Sequence, residues 1–527
     1  MPAVSKETGG PETPIVIRIL QVWIRGLSHY GRGYARANQL GLRLLGVVYF
    51  AAFASYAVQA DGLVGERGIL PFAAWLGAIR PRVEEIGFHQ VPTILWLAPS
   101  DAALRICLWT GMALAVMLAS GFLPLIAAAG LWVLYLSATT VGQIFWNYQW
   151  DNLLLEAGFL AIFAAPWRVR MRWLAPDEPP RIIVLLFHWL MFRLMFLSGY
   201  VKWASGDEAW RNLTALTYHY WTQPLPLPTA WYVHQLPIWF HKLSCALVFV
   251  VELVCPFLIW FGDRARMVAA ISFIALMALI AATGNYTFFN LLAAVLSLWL
   301  IRDQIGAALL SRVPGRFGRW LARAFRREAP SPEWRPLRVA RHAAAAVAAA
   351  FVLVTSGVLF VVAVGGGADW PRWIESLVRF TAPFRSVNNY GLFAVMTKTR
   401  PEIILEGTWD GQLWIPYEFR WKPGEPDMRP RLAAPHQPRL DWQMWFAALG
   451  KLEGNRWLIN LMIRLLENEP DVLRLLAFNP FEQRPPVAIR AVRYEYRFAT
   501  PAERSQGKVW WMRKYKDLYC PPIQIHP

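Results

Sequence analysis

The feature that most constrains this chain is an arginine-rich segment that separates two unlike halves. Ten arginines lie between Arg302 and Arg341, against three acidic residues in the same segment. A series of apolar segments precedes it, and one more apolar span, 343–364, follows it before a polar, tryptophan-rich region begins. Basic loops flanked by apolar spans mark the cytoplasmic side of membrane proteins. The pattern therefore predicts a polytopic membrane protein whose arginine-rich segment is cytoplasmic.

The overall composition agrees with a membrane protein. Hydrophobic residues make up 56% of the chain and charged residues 17%, whereas soluble domains average about 25% charged residues. The net charge is +18, but the basic residues cluster in short loops, which favours contacts with anionic lipids over nucleic-acid binding. Three of the four cysteines fall in apolar spans, so no disulfide framework is predicted.

Apolar segments long enough to cross a bilayer recur along the chain, because a spanning helix needs about 20 apolar residues. The second, third and fourth of these segments are short or closely coupled and could form tilted or re-entrant elements, so we expect seven to nine spans. The candidate spans are 43–60, 104–119, 122–138, 150–166, 183–202, 243–261, 267–283, 286–301 and 343–364.

The basic clusters predict one topology. With the N-terminus in the cytoplasm, the clusters 168–172 and 264–266 and the arginine-rich segment all fall on the cytoplasmic side. The aromatic-rich stretches 61–103, 139–150, 204–242 and 283–286 then lie on the opposite side, together with the C-terminal region. The predicted division is a cytoplasmic amphipathic segment 1–42, a membrane domain 43–301, a basic cytoplasmic loop 302–342, a last spanning helix 343–364 and an extracytoplasmic domain 366–527.

Ionisable residues within the apolar spans are the first candidate site. Arg193, Glu156 and Glu252 each lie inside a predicted span. Charges in a bilayer are costly and tend to be paired, so we expect Arg193 to pair with Glu156 or Glu252. Two interpretations stay open, namely a polar functional site facing an inner cavity and a structural ion pair that joins helices.

The stretch 204–242 combines acidic, histidine and aromatic residues and includes the candidates Asp207, Trp210, His219 and His241. Histidines near carboxylates can ligate a metal, but their spacing matches no helical ligand pair, and an aromatic belt at a membrane interface has the same composition. The chain has no nucleophile elbow, P-loop or H-E-x-x-H motif. We therefore predict no catalytic residue, no metal and no cofactor.

The C-terminal region has the pattern of a small α+β domain with a β-sheet core. Strands are predicted at 402–408, 413–420 and 487–498, with 508–515 as a pairing strand, and amphipathic helices at 442–449 and 457–466. Asp441 is expected to cap the first helix. Trp442, Trp445 and Phe446 would share one helix face. That face either packs on the neighbouring sheet or recruits a client protein.

Long strings in both halves resemble the lipase maturation factor family. In the C-terminal half they include Asn389-Tyr390-Gly391-Leu392-Phe393, Glu402-Ile403-Ile404-Leu405-Glu406-Gly407 and Arg439-Leu440-Asp441-Trp442-Gln443. In the membrane half they include Gln149-Trp150-Asp151, Leu155-Glu156-Ala157-Gly158, Phe192-Arg193-Leu194 and Thr283-Gly284-Asn285-Tyr286. The likeness runs in order from about residue 40 to the end and makes Trp150, Asp151, Asn285 and Tyr286 candidates for polar sites and Asn389 and Tyr390 candidates for client binding.

This resemblance implies a membrane chaperone that helps a secreted lipase to fold. In animals the family lies in the endoplasmic reticulum membrane and acts through a lumenal C-terminal domain. The alanine- and arginine-rich composition looks bacterial, which would place this chain in an inner membrane with its C-terminal domain in the periplasm. A competing hypothesis is a membrane enzyme that acts on a lipid or quinone-like substrate in a cavity around the buried ionisable residues. Trp421 and Arg431 stand where animal members carry cysteines, which argues against a thiol role here.

Overall fold

The computed structural model describes residues 31–172, 175–310, 334–367 and 369–524, together with Gly315. Most of the predicted N-terminal segment and of the arginine-rich segment lies outside these residues. Within them, seven helices are long and apolar enough to span a membrane. They are α1 Ala35–Ala57, α2 Asp101–Ser120, α3 Pro124–Val141, α5 Arg181–Ala204, α6 Ile238–Phe249 with its continuation to Trp260, α7 Asp263–Thr283 and α9 Arg335–Ala363.

Two of the predicted spans are shorter than a full crossing. The fourth is α4, Gln149–Ala164, which has 16 residues. The eighth is α8, Phe289–Ser297, which continues to Leu300 and is bent by 107° from the helix that begins at Asp303. The second and third segments, in contrast, form the full-length helices α2 and α3. The chain is therefore a polytopic helical membrane protein whose described residues contain seven helices long enough to span, or eight if the bent pair is one span.

The described parts of the basic clusters meet at one end of the helix bundle. Arg266 donates to the hydroxyl of Tyr34 at 2.5 Å, and Arg302 donates to Asp263 at 2.8 Å. The backbone carbonyl of Arg172 accepts a 3.0 Å hydrogen bond from Gln39. Segments that are far apart in sequence thus share one end, as the topology derived from the arginines requires.

Helix α1 begins earlier than the predicted span at residue 43. The backbone amides of Arg36 and Ala37 donate to the two carboxylate oxygens of Asp303, each at 3.0 Å. A carboxylate at a helix N-terminus satisfies free amides and interacts favourably with the helix dipole. Sequence periodicity missed this start because the stabilising group lies more than 260 residues away along the chain.

A four-stranded antiparallel sheet forms the core of the C-terminal domain, as predicted. Its strand order is β2-β1-β5-β6, and a separate ladder pairs β3 with β4. The pairing register places Ile403 opposite Arg493 and Val492 opposite Leu518. The strands are β1 Arg400–Thr408, β2 Ile415–Pro416, β3 Glu418–Phe419, β4 Leu476–Phe478, β5 Ala488–Phe498 and β6 Trp511–Ile523.

Two helices cover this sheet and connect it to the bundle. They are α10, Arg439–Leu449, which packs against β1, and α11, Trp457–Leu466, which packs against β5. One continuous cluster of buried apolar side chains includes residues of the membrane helices and of this domain. Shorter helices occupy the connections: Ala60–Val64, Phe72–Ile86, Glu208–Arg211, Ala215–Thr222, Pro228–His234, Arg372–Thr381, Pro470–Leu473 and Pro501–Gly507.

Candidate functional site at the junction of the two halves

The junction is the buried contact surface between the C-terminal domain and the ends of the membrane helices. An ion pair lies at its centre. Arg439, the first residue of α10, donates to both carboxylate oxygens of Asp151 in α4, at 2.7 and 2.8 Å. Its guanidinium also lies 4.1 Å from the ring centre of Trp146. Tyr135 donates to the same carboxylate at 2.5 Å. Because Asp151 and Arg439 are almost fully buried, the pair is shielded from water.

A second buried cluster confirms the predicted pairing of Arg193. Its guanidinium forms an ion pair with Glu156 and donates to the backbone carbonyl of Asn388 at 2.9 Å. The other oxygen of Glu156 accepts from the backbone amide of Asn388 at 2.9 Å and from the hydroxyl of Tyr390 at 2.7 Å. The geometry therefore supports a structural role for the ion pair, because the pair holds the segment that contains Asn388 and Tyr390 against α4 and α5.

Glu252 is not the partner of Arg193. It lies on α6 and accepts a 2.7 Å hydrogen bond from the ammonium group of Lys202 in α5. The sequence did not single out Lys202, because its position near the end of a predicted span is typical of an interfacial lysine. Both side chains are less than one-tenth exposed. The membrane half thus contains two separate buried ion pairs.

A third cluster joins β1 to the polar stretch 204–242. Arg400 donates to the backbone carbonyls of Trp221 and Pro224, at 2.7 and 2.8 Å, and also to that of Gln223. Glu402, two residues along β1, forms ion pairs with Arg400 at 2.9 Å and with Lys422 at 3.2 Å. All three charged side chains are buried. The proline-containing segment after Trp221 is therefore held against the sheet by its carbonyl groups.

Asn285 and Tyr286, the candidates in the turn after α7, both face this junction. The amide nitrogen of Asn285 donates to the carbonyl of Arg431 at 2.8 Å, and its oxygen accepts from the amide of Ala433 at 2.7 Å. Tyr286 donates to Gln223 at 3.1 Å. A short turn between two spans is thus hydrogen-bonded to the loop that precedes α10.

The other candidates of the stretch 204–242 have local structural contacts. Asp207 caps a short helix by accepting from the amides of Ala209 and Trp210, at 2.9 and 3.1 Å. The indole of Trp210 donates to the carbonyl of Phe393 at 2.9 Å. One ring nitrogen of His241 lies 3.0 Å from the carbonyl of Leu236, and His219 lies against the ring of Tyr286. The structure does not bring these four residues together as one site.

Asp441 does not cap α10, which corrects the expectation from sequence. Its carboxylate lies inside the first turn and accepts from the backbone amides of Trp421 and Lys422, both at 2.9 Å. Burial raises the pKa of Asp441 to about 6, although these two amides act in the opposite direction. The side chain therefore fixes the loop after β3 to α10. The sequence could not indicate this contact with the loop, because an acidic residue at the start of a helix also fits the pattern of a helix cap.

The aromatic face of α10 is divided between buried and exposed side chains. Trp442 packs edge-on against Trp150, with ring centres 4.8 Å apart, and the indole of Trp445 donates to the carbonyl of Thr222 at 2.9 Å. Both side chains are buried in the junction rather than on the sheet alone. Of the two interpretations of this helix face, packing rather than client recruitment therefore applies to Trp442 and Trp445. Phe446 is 41% exposed. A client-binding role stays a prediction, and Phe446 is the member of this face that a client can reach.

The sequence missed several residues that hold the junction together. Asn389 was a candidate, yet its side chain is exposed and the neighbouring Asn388 makes the contacts to Glu156. Arg439 begins one of the strings that resemble the family, and Arg400 lies two residues before another, but a charged residue at the start of a strand or helix usually faces solvent. The available signal was an isolated arginine directly beside a proline, in Arg400-Pro401 and Pro438-Arg439.

Comparisons with known proteins agree with this two-part architecture. The lipase maturation factor transmembrane domain matches residues 36–308, and the lipase maturation factor C-terminal domain matches residues 386–521. Lipase maturation factor 1 of Bos taurus is 37% identical, over 92% of this chain and 88% of the relative. Lipase maturation factor 2 of Gallus gallus is 34% identical, over 93% of this chain and 82% of the relative.

The human proteins show the same degree of likeness. Lipase maturation factor 1 of Homo sapiens is 36% identical over 92% of this chain and 87% of its own length, and lipase maturation factor 2 is 36% identical over 93% and 82%. No solved structure matches the chain. Since both halves match their own domain models, in order and across the junction, the chain belongs to the lipase maturation factor family.

Proposed function

We propose that this protein is a membrane-anchored maturation factor that assists the folding or assembly of a secreted lipase, without catalysing a reaction itself. The observation that carries the proposal is the family match across both halves, because the matched relatives are named lipase maturation factors. The client is a protein rather than a small molecule, so the part of the chain outside the membrane is where we expect it to bind.

We further propose that the C-terminal domain lies outside the cytoplasm, in the periplasm of a bacterial cell. Basic loops stay on the cytoplasmic side, and the described basic residues meet at the end of the bundle that Tyr34 and Asp263 mark. The C-terminal domain rests on the segments 221–224 and 285–286, which follow α5 and α7 at the other helix ends. The predicted division into cytoplasmic, membrane and extracytoplasmic parts is retained in this proposal.

The junction suggests how such a factor presents its client surface. The Asp151–Arg439 pair and the indole of Trp445 fix α10 to the membrane half. The other two buried charge clusters hold the segment around Asn388 and strand β1 against the same half. A surface held by rigid elements keeps a defined geometry and loses less entropy on binding. Phe446 projects from this fixed helix, and a large apolar side chain on a rigid, partly exposed helix suits contact with the apolar surface of an incompletely folded lipase.

Secretion of an active lipase tests the proposal. The gene is deleted in a host that secretes a lipase, and the lipase activity per amount of secreted protein is compared with that of the complemented strain. We expect deletion to lower this specific activity and Phe446→Ala to lower it while the factor stays folded. Phe478→Ala is the matched control, because Phe478 is exposed on the same domain but lies on β4.

The two parts of the proposal fail in different ways. Unchanged specific activity after deletion would contradict a role in lipase maturation. A loss on deletion combined with full activity of Phe446→Ala would retain that role but place the client elsewhere. Equal losses for Phe446→Ala and Phe478→Ala would show that neither substitution reports on a specific client contact.

A further inference from the structure

An apolar cavity in the membrane half borders the junction at Tyr286 and Phe393. It lies between α5, α6 and α7, has a volume of about 100 Å³, and is lined mainly by apolar side chains such as Leu194, Val248, Leu276 and Phe393. An engineered apolar cavity of about 150 Å³ stays free of water and binds benzene. The cavity here is smaller, and apart from its polar end at Lys202 and Glu252 it is similarly apolar, so it suits a short length of hydrocarbon chain.

One polar feature interrupts this lining. The ammonium group of Lys202 donates to Glu252 at 2.7 Å and to the carbonyl of Ser198 at 3.0 Å, and it lies 5.5 Å from the ring centre of Trp210. An ammonium group has three donors, so one more oxygen can be bound. Because the positive charge of Lys202 is neutralised by Glu252, the site favours an uncharged hydrogen-bond acceptor over a free anion.

His219 at the cavity wall adds no charge to this balance. Burial lowers the pKa of His219 to about 4, and the charge of Lys202 acts in the same direction. The imidazole is therefore neutral at pH 7, and one of its nitrogens lies 3.3 Å from the hydroxyl of Tyr286. The polar end of the cavity thus contains neutral groups and one compensated ion pair.

The backbone of α6 is irregular where it borders the cavity. Residues Val250–Val254 form a π-helical turn and Cys255–Trp260 a 3-10 helix, and Glu252 lies on the π turn. Such π turns are frequent at functional sites. Gly199 of α5 lies opposite, and a side chain there would approach the Cβ atom of Glu252 to 2.8 Å. The two helices are therefore in close contact at the ion pair that ends the cavity.

Two of the helices that border the cavity, α6 and α7, have largely exposed apolar surfaces. In the most apolar stretch of α6 and its continuation to Trp260, only 28% of the residues are buried, and in that of α7 only 33%. Their exposed apolar side chains, such as Leu247 and Leu279, form a lipid-facing surface. We propose that the cavity binds the first few methylene groups of one acyl chain of a bilayer glycerolipid, whose ester carbonyl accepts a hydrogen bond from Lys202.

Photo-crosslinking with a lipid probe tests this site directly. The full-length protein is reconstituted in phosphatidylcholine vesicles that contain a phosphatidylcholine with a diazirine in its acyl chain, irradiated, digested and mapped by mass spectrometry. We expect adducts on cavity residues of α5 and α6. Val248→Phe, which fills the cavity, should reduce these adducts several-fold. Val250→Phe is the matched control, because Val250 is exposed on the same helix and should leave them unchanged.

A second variant keeps the test decisive if Val248→Phe does not fold. Leu276→Phe fills the same cavity from α7 and should have the same effect. Adducts confined to lipid-facing positions such as Leu247 and Leu279 would overturn the proposal. Equal cavity labelling of the filled and control variants would also overturn it.

Discussion

Asp151 and Arg439 show what a single buried contact does in this molecule. The two residues belong to different halves, are almost fully buried and share two hydrogen bonds. Taking charges out of water costs several kcal/mol per ion, so such a pair adds little net stability by itself. Its effect is specificity, because any arrangement of the two halves that separates the partners leaves a buried charge uncompensated.

This argument predicts a large difference between buried and exposed pairs. Asp151→Asn leaves Arg439 unpaired and should lower the free energy of unfolding by about 3–5 kcal/mol. Glu208→Gln, which removes the exposed partner of Lys398, should cost less than about 1 kcal/mol. The measurement is denaturant unfolding of the detergent-solubilised protein, with the double variant Asp151→Leu/Arg439→Met as a further comparison. A double variant less stable than Asp151→Asn would contradict the view that the unpaired charge causes the loss.

At the level of elements, most strands and both helices of the C-terminal domain were predictable and their partners were not. The predicted strand 413–420 was wrong, because this stretch divides into β2 and β3, which pair in separate sheets. The predicted strand 402–408 and the alternating pattern at 487–498 match β1 and β5, because strand patterns are a local property of the sequence. The first residue of α1 and the role of Asp441 were missed, because each depends on a hydrogen-bonding partner far along the chain. Several candidate residues, such as Asp151, Asn285 and Trp442, lie at the junction, but the sequence predicted neither the junction nor which of them meet.

Helix α10 gives the prediction that belongs to this level. Trp445 is buried and its indole donates a hydrogen bond to the backbone carbonyl of Thr222. Trp445→Ala therefore removes packing contacts and leaves that carbonyl without its donor. We expect a loss of about 3–5 kcal/mol in the free energy of unfolding, as for other buried aromatic residues. Phe446→Ala, its neighbour on the same helix, should cost much less because Phe446 is partly exposed. Similar losses for the two variants, measured by thermal unfolding, would mean that the face is uniformly packed.

For the whole molecule, the described basic clusters and the junction lie at opposite ends of the helix bundle. The described residues of the basic clusters meet at one end of the bundle, and the C-terminal domain covers loops at the other helix ends. A strong charge asymmetry between the two ends orients a membrane protein during insertion. A cytoplasmic position of the basic end would therefore place the C-terminal domain on the opposite side of the membrane.

Cysteine labelling can establish this orientation, because the four native cysteines are buried and should give little background. Leu413→Cys lies on the C-terminal domain and Trp334→Cys lies at the basic start of α9; both positions are strongly exposed. We expect a membrane-impermeant maleimide to label Leu413→Cys in intact bacterial spheroplasts, and Trp334→Cys only after permeabilisation. The reverse pattern would invert the topology, and with it the compartment in which a client could be met.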